Sequence, residues 1–410
     1  MAFDSGDVAW VLTATLLVMM MLLPGLALFY GGLVRAKNLL SVMSQVMGVG
    51  AVAILAWVGW AYSLAFSGSG LFVGDLSKLG LAGIDGETAW ALATPGKAIP
   101  ELLFACFQMS FAAITVALVV GALVERVRFS AILLFALLFV TIVYAPIAHM
   151  VWAADGLIFQ TGAIDFAGGT VVHINAGVAG LVGVAFAGPR IGFLKEAMPP
   201  HSLALVLVGT GLLWVGWFGF NAGSALEANG VAAIAMLNTF VAPAAGMLGW
   251  MGIERWRSDK PSLLGGASGA VAGLVAVTPA AGISGPLGAM VLGVAASATC
   301  YAFIAGAKHR LRLDDSLDVF GIHGLGGIVG SIGTAIVALP ALGGHASPDY
   351  SLVAQLGRQS GAVLLAIGWS AVGSATCFAL AGLAVPLRRD ADEEREGLDL
   401  SDHGERAYNP

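Results

Sequence analysis

Of the 410 residues, 58% are hydrophobic and 11% charged, where a soluble domain carries about 25% charge, so a soluble globular fold is excluded. The 57 glycines point instead to helices packed closely in lipid, where small residues let backbones approach. The formal net charge of −6 says little about partners, because the carboxylates gather between Asp390 and Glu405, and nothing supports nucleic-acid binding.

Runs without Asp, Glu, Lys or Arg follow one another at 8–34, 38–74, 102–124, 129–154 and 166–189, then at 197–226, 228–253, 261–307, 319–348 and 359–387. Each exceeds the roughly 20 residues a helix needs to cross the hydrocarbon. The first is no conventional signal peptide, because Asp4 and Asp7 stand where a basic segment is required, so it stays as helix one. The second reads as one helix and a long loop, since Ser67-Gly68-Ser69-Gly70 is turn-like. The run 261–307 is long enough for two crossings and breaks at Thr278-Pro279 and Gly282-Ile283-Ser284-Gly285-Pro286. The expected fold is an all-α polytopic membrane protein of eleven transmembrane helices. Its membrane domain covers 1–387, as two halves at about 8–189 and 197–340 with helix eleven at about 355–387, and 388–410 forms a tail. Cys106, Cys300 and Cys377 sit singly inside apolar runs and read as packing residues.

Basic residues in short loops are retained on the cytoplasmic side. With eleven spans and the N-terminus outside, sixteen of the nineteen Lys and Arg fall inside, and only Lys78, Lys97 and Arg358 lie outside. This predicts a multi-pass protein of the cell membrane with a cytoplasmic C-terminus.

Two segments align without gaps: His173-Ile-Asn-Ala-Gly177-Val-Ala-Gly180-Leu-Val-Gly183 and His323-Gly-Leu-Gly-Gly327-Ile-Val-Gly330-Ser-Ile-Gly333. They fall on helices five and ten, so the repeat unit is five spans, and an odd unit inserts its second copy upside down. The ends of helices one and six match more weakly, Phe29-Tyr30-Gly31-Gly32 against Phe220-Asn221-Ala222-Gly223. Helix eleven stands outside this inverted repeat.

A histidine in a span is costly unless it faces the bundle interior or a cavity. A two-fold axis in the membrane plane places His173 and His323 together near the midplane, where paired imidazoles could share a proton; the rival reading is that neighbouring helices satisfy both structurally. Asp165, eight residues before His173, and Asp318, five before His323, lie near helix N-termini, where capping accounts for either. For Asp165 an alternative is a long-range field drawing a cation to the outer mouth. Aromatics interleave with small polar residues at Phe107-Gln108-Met109-Ser110-Phe111, His149-Met150-Val151-Trp152 and Trp217 to Ser224. Aromatic faces bind small cations, but each stretch alone also fits packing or a lipid belt, and only their convergence would make a site.

Four stretches carry a resemblance along essentially the whole chain: Phe29-Tyr-Gly-Gly-Leu-Val-Arg-Ala-Lys-Asn38, Gly121-Ala-Leu-Val-Glu-Arg-Val-Arg-Phe-Ser130, Asp165-Phe-Ala-Gly-Gly-Thr-Val-Val-His-Ile-Asn175 and Asp314-Asp-Ser-Leu-Asp-Val-Phe-Gly-Ile-His-Gly324. The sequence resembles the ammonium transporter (Amt) branch of the Amt/Rh family. The resemblance implies that Trp152, Ser224 and Phe111, with Phe107 nearby, form an outer ammonium recruitment site, and that Phe111 and Phe220 stack as a gate. It implies that His173 and His323 are the paired pore histidines, with Asp165 supporting the site. It implies a pore through each subunit of a homotrimer and methylammonium as a substrate analogue. It also implies a regulatory tail around Glu396-Gly-Leu-Asp-Leu-Ser-Asp-His-Gly-Glu-Arg-Ala-Tyr408, which composition alone would make a solvated segment, and a cytoplasmic P-II signal protein as partner. No cofactor or metal is implied.

On this reading NH4+ is held outside, deprotonated, and conducted inward as NH3. Two rival classes stand beside it. A neutral gas channel of the Rh type usually lacks the outer Trp and Ser, here Trp152 and Ser224, and an ammonium sensor would signal through the tail with negligible flux. An enzyme is not expected, as the sequence shows no nucleophile with a base and no nucleotide loop.

Overall fold

The computed structural model of the chain describes residues 2–408. Among them eleven helices are long and apolar enough to cross a membrane: α1 (Ser5–Leu33), α2 (Ala36–Phe66), α3 (Glu101–Leu123), α4 (Phe129–Thr161), α5 (Gly169–Ala187), α6 (Leu203–Gly223), α7 (Gly230–Ser258), α8 (Leu263–Ala280), α9 (Pro286–Arg310), α10 (Phe320–Val337) and α11 (Leu352–Ala384). This is a multi-pass membrane protein. Side-chain oxygens satisfy the free amides of several helix starts: Asp4 begins α1, Ser202 α6, Asn229 α7, Ser262 α8 and Ser351 α11. Capping, and not the edge of a charge-free run, decides where a helix begins. Thus α11 opens at Leu352, ahead of the expected start near 355, with Arg358 inside its second turn, where its guanidinium donates to Gln355 Oε1 at 3.2 Å. It ends at Ala384, short of 387.

Contacts between helices repeat with a period of five. The pairs α2–α3, α2–α4, α3–α5 and α1–α3 recur as α7–α8, α7–α9, α8–α10 and α6–α8, while α1 packs on α6 and α5 on α10 across the axis. The inverted repeat is thereby visible as packing. Its glycines have a steric reason: a Cβ on Gly177 would stand 2.4 Å from the backbone of Gly324, so α5 and α10 cross only where no side chain intervenes.

The loop between α2 and α3 departs from the all-α expectation. Strands β2 (Ala89–Ala91) and β3 (Lys97–Pro100) form a hairpin, and β1 (Ala2–Phe3) joins β3 in parallel, giving the order β1-β3-β2. Lys97 fastens this sheet to α1, its ammonium donating to the Asp7 carboxylate at 2.9 Å. The hairpin lays Trp90 over Phe104 of α3 with ring centroids 3.7 Å apart. Two of the cysteines, Cys300 and Cys377, are buried packing residues as expected, whereas Cys106 lies on an exposed face of α3.

The opposite face, where α11 ends, is held by charge. Arg190 donates to Asp314 at 2.8 Å and lies 3.3 Å from Glu125, which Arg35 also meets at 2.7 Å. Burial pushes both carboxyls up, and the guanidiniums beside them overturn this and hold Asp314 and Glu125 below their ordinary range. Burial pulls the fully enclosed Arg126 down to about 10. The tail is not a solvated segment. Its helices α12 (Ala391–Glu396) and α13 (Leu398–His403) dock on this face. Glu394 accepts from the Ile191 amide at 2.7 Å, Asp399 accepts from the Ser41 amide at 2.8 Å, and Leu398 is fully buried.

Candidate functional site

On the N-terminal face three chain-distant stretches converge. Phe107 and Phe111 share one side of α3 at i, i+4 spacing, their centroids 4.9 Å apart. Trp152, on α4, sets its ring edge-on to Phe111 at 5.9 Å. The end of α6 brings Phe220 and, four residues on, Ser224, whose hydroxyl donates to the Phe220 carbonyl at 2.8 Å and so keeps its lone pairs free to accept. Phe107, Phe111, Trp152 and Ser224 line one cavity of about 170 Å³ with Trp90, Gln108 and Phe166. His149, quoted in the same stretch as Trp152, does not face this cavity: it is buried with its ring nitrogens 2.9 Å from the Ala65 carbonyl and 2.5 Å from the Gly70 carbonyl, tying α4 to the α2–α3 loop.

Beneath the cavity Phe111 and Phe220 stack in parallel, centroids 4.1 Å apart at 17°, and close its floor. Past this pair lies a slender apolar cavity of about 10 Å³, room for one water-sized molecule, lined by Leu26, Ile114, Val172, Trp217, His173 and His323 among others. The two imidazoles meet Nδ1 to Nδ1 at 3.3 Å. One nitrogen donates and the other accepts, so a neutral pair holds opposite tautomers and presents one bare Nε2 and one Nε2–H. Nε2 of His173 is buried without a protein partner. A third cavity of about 210 Å³ reaches His323 from the tail face, bounded by Phe29, Tyr30, Ser268 and Asp318. Outer cavity, aromatic stack, narrow apolar cavity with the histidine pair, and third cavity follow one another through the bundle.

Asp165 is fixed as a cap. Its carboxylate accepts from the amides of Gly168, Gly169 and Thr170, each at 2.7 Å, and from the Thr170 hydroxyl. Its carbonyl accepts from Trp152 Nε1 at 3.0 Å, so the same residue that opens α5 also holds the tryptophan wall. At the second half the expected partner, Asp318, does not cap α10. Asp318 has φ of 59° and pairs with Lys308, while Asp315 accepts from the amides of Val319 at 2.9 Å and Phe320 at 2.8 Å. Asp315 stands eight residues before His323, as Asp165 stands eight before His173; extending the repeat upstream by that offset would have found it. Asp315→Ala is expected to cost about 1–3 kcal/mol by stranding buried amides, and Asp315→Asn less because its side-chain oxygen still accepts. Thermal unfolding of the detergent-solubilised protein measures both.

Trp90, Gln108 and Phe166 were not singled out from sequence. Gln108 and Phe166 lie inside quoted stretches, whereas Trp90 sits in a loop with no periodicity to place it.

A profile of the Ammonium Transporter Family matches residues 9–408. The chain is 45% identical to the ammonium transporter of Aquifex aeolicus (strain VF5), covering 99% of this chain and 94% of the relative. It is 41% identical to the ammonium transporter of Bacillus subtilis (strain 168), covering 98% of each. Among solved structures it is similar to Saccharomyces cerevisiae Mep2, with a TM-score of 0.84 at 37% identity over 95% of this chain and 89% of that one. It is also similar to a sensor Amt protein, with a TM-score of 0.87 at 26% identity over 97% and 98%.

Proposed function

The chain belongs to the ammonium transporter family, and from that premise we propose that it binds NH4+ in the cavity on the N-terminal face, strips a proton there and conducts NH3 past His173 and His323. The observation that carries this reading is the convergence of three aromatic stretches, separate in sequence, on one cavity above an imidazole pair. Moving a bare cation through the narrow apolar lumen costs many kcal/mol, so the ion divides before it enters. Faces of Phe107, Phe111 and Trp152 attract the cation, each contact contributing about 0.5–2 kcal/mol. The Ser224 hydroxyl accepts a hydrogen bond from an N–H, which potassium lacks. Phe111 and Phe220 gate the floor, and the histidines accept ammonia's hydrogen bonds or relay the separated proton, since each neutral imidazole carries one donor and one acceptor nitrogen. Asp165 supports the site by holding Trp152 and the start of α5.

The polarity of basic residues supports a reading in which the N-terminal face lies outside and the tail face in the cytoplasm of the cell membrane. The contact of the docked tail with the loop after α5 through Glu394 supports a regulatory role, in which the tail would couple the inner cavity to neighbouring subunits of a homotrimer.

Proteoliposomes given an ammonium jump test the reading. A saturable response absent with a potassium jump is expected; neither current nor internal alkalinisation, from folded protein, would overturn it. Current without internal alkalinisation marks proton and ammonia travelling together, since they recombine inside, and alkalinisation without current marks ammonia travelling by itself. Ser224→Ala is expected to raise the half-saturating ammonium concentration about tenfold or more, the loss of one hydrogen bond to a charged group, measured in the same recordings.

A further inference from the structure

We propose that Gln108 is a second hydrogen-bond acceptor for the cation in the outer cavity, and that two directed oxygens, its own and that of Ser224, set the preference for ions bearing N–H bonds. The inference rests on the transport reading above. Gln108 follows Phe107 on α3 and lines the same 170 Å³ cavity as Ser224, Trp152 and Trp90. Its side chain belongs to a residue only 8% exposed, and its Oε1 is buried without a donor. Every other buried Asn or Gln among the described residues makes at least one side-chain hydrogen bond to the protein, as Asn175 does to Val171, Asn238 to Ala281 and Gln359 to Ile164. Gln108 makes none.

An unpaired buried amide is costly, and such a group calls for a partner that the protein does not supply. The setting indicates which partner. The walls are largely aromatic rings, whose faces are electron-rich, and no carboxylate is among the lining residues. With neither end fixed by the protein, the amide turns about its broad terminal torsion at little cost, and a cation draws the oxygen inward and the NH2 group away. Ammonium then meets two neutral oxygens and several π faces. Neutral acceptors hold the ion without trapping it as a buried ion pair would, which suits a site that must pass its cargo on. Potassium has no N–H to direct, and two oxygens replace only a fraction of its hydration shell.

Two substitutions give opposite expectations. Gln108→Met keeps the length and shape of the side chain and removes the acceptor; Gln108→Glu keeps an acceptor and alters the packing chemistry. Ammonium and potassium jumps on proteoliposomes of the full chain, over a concentration series, read both. For Gln108→Met the half-saturating ammonium concentration is expected to rise about tenfold or more, as one hydrogen bond to a charged group predicts, with the maximal response kept and the preference over potassium narrowed. For Gln108→Glu it is expected to stay at or below the wild-type value. Gln108→Met matching wild type, or Gln108→Glu impaired as much as Gln108→Met, overturns the proposal. A Ser224→Ala variant that shifts while Gln108→Met does not overturns the second acceptor alone. A wild-type protein without a saturable ammonium response overturns the transport reading itself.

Discussion

A His173→Leu, His323→Leu double variant is expected to carry less than about a hundredth of the wild-type ammonium response, with the half-saturating concentration little changed. Leucine fills most of the imidazole volume, so the packing of position 173 against Trp217 and Phe220, now 5.5 and 6.0 Å between ring centroids, is largely kept. What is lost is the polar pair facing the lumen, where Nε2 of His173 has no protein partner. A small polar molecule in an apolar enclosure without hydrogen bonds costs roughly 2–7 kcal/mol, and each 1.36 kcal/mol on a barrier is about tenfold in rate. The outer cavity is untouched, so recruitment should survive while passage fails. Proteoliposome recordings after an ammonium jump measure both quantities; an undiminished response would remove the histidine pair from the conduction path.

The largest effect on stability is expected at Arg190. Its guanidinium bonds Asp314 and meets Glu125, whose side chains are essentially inaccessible. Arg190→Met leaves Asp314 buried with only the more distant Arg126, at 4.0 Å. Breaking one side of a buried charged pair costs about 3–5 kcal/mol, and the protein should unfold at a clearly lower temperature. The pH dependence gives a second signature. Asp314 and Glu125 are held below their ordinary values of 3.8 and 4.5, so they stabilise the fold above those values and lose that contribution as pH falls below them. In the variant, burial of Asp314 is no longer offset by Arg190, its carboxyl titrates higher, and the loss on acidification shrinks. Thermal melts from pH 7 down to about 2 read this, since depressed carboxylates protonate only below their ordinary values; a variant with unchanged melting temperature and pH profile would show the cluster to be incidental.

Much of the architecture is legible because lipid makes it local. A helix that spans a membrane satisfies its own backbone and needs only enough consecutive apolar residues, so ten charge-free runs, one of them split at its Pro and Gly break, yield eleven spans. The repeat was legible for a related reason: Gly177 and Gly327, matched in the two halves, both sit where α5 and α10 cross, Gly177 against Gly324 and Gly327 against Ile174 and His173. Reading failed where charge was taken as a boundary. Arg358 interrupts a run but sits inside α11, because Ser351 supplies the cap one turn and more upstream. It failed again at Asp318, chosen for its nearness to the helix, when the offset from the histidine selects Asp315.

By itself, then, the sequence determined the span count, the five-span period and two intramembrane histidines 150 residues apart, all properties of local hydrophobicity or of aligned spacing. Only the tertiary structure decided that those imidazoles touch, that Phe111 stacks on Phe220 and that a loop hairpin brings Trp90 to the cavity where Gln108 has no partner. The reason is physical: ring stacking and an unpaired amide arise from helices meeting across the bundle, and no residue carries in its own neighbourhood the identity of what it will pack against.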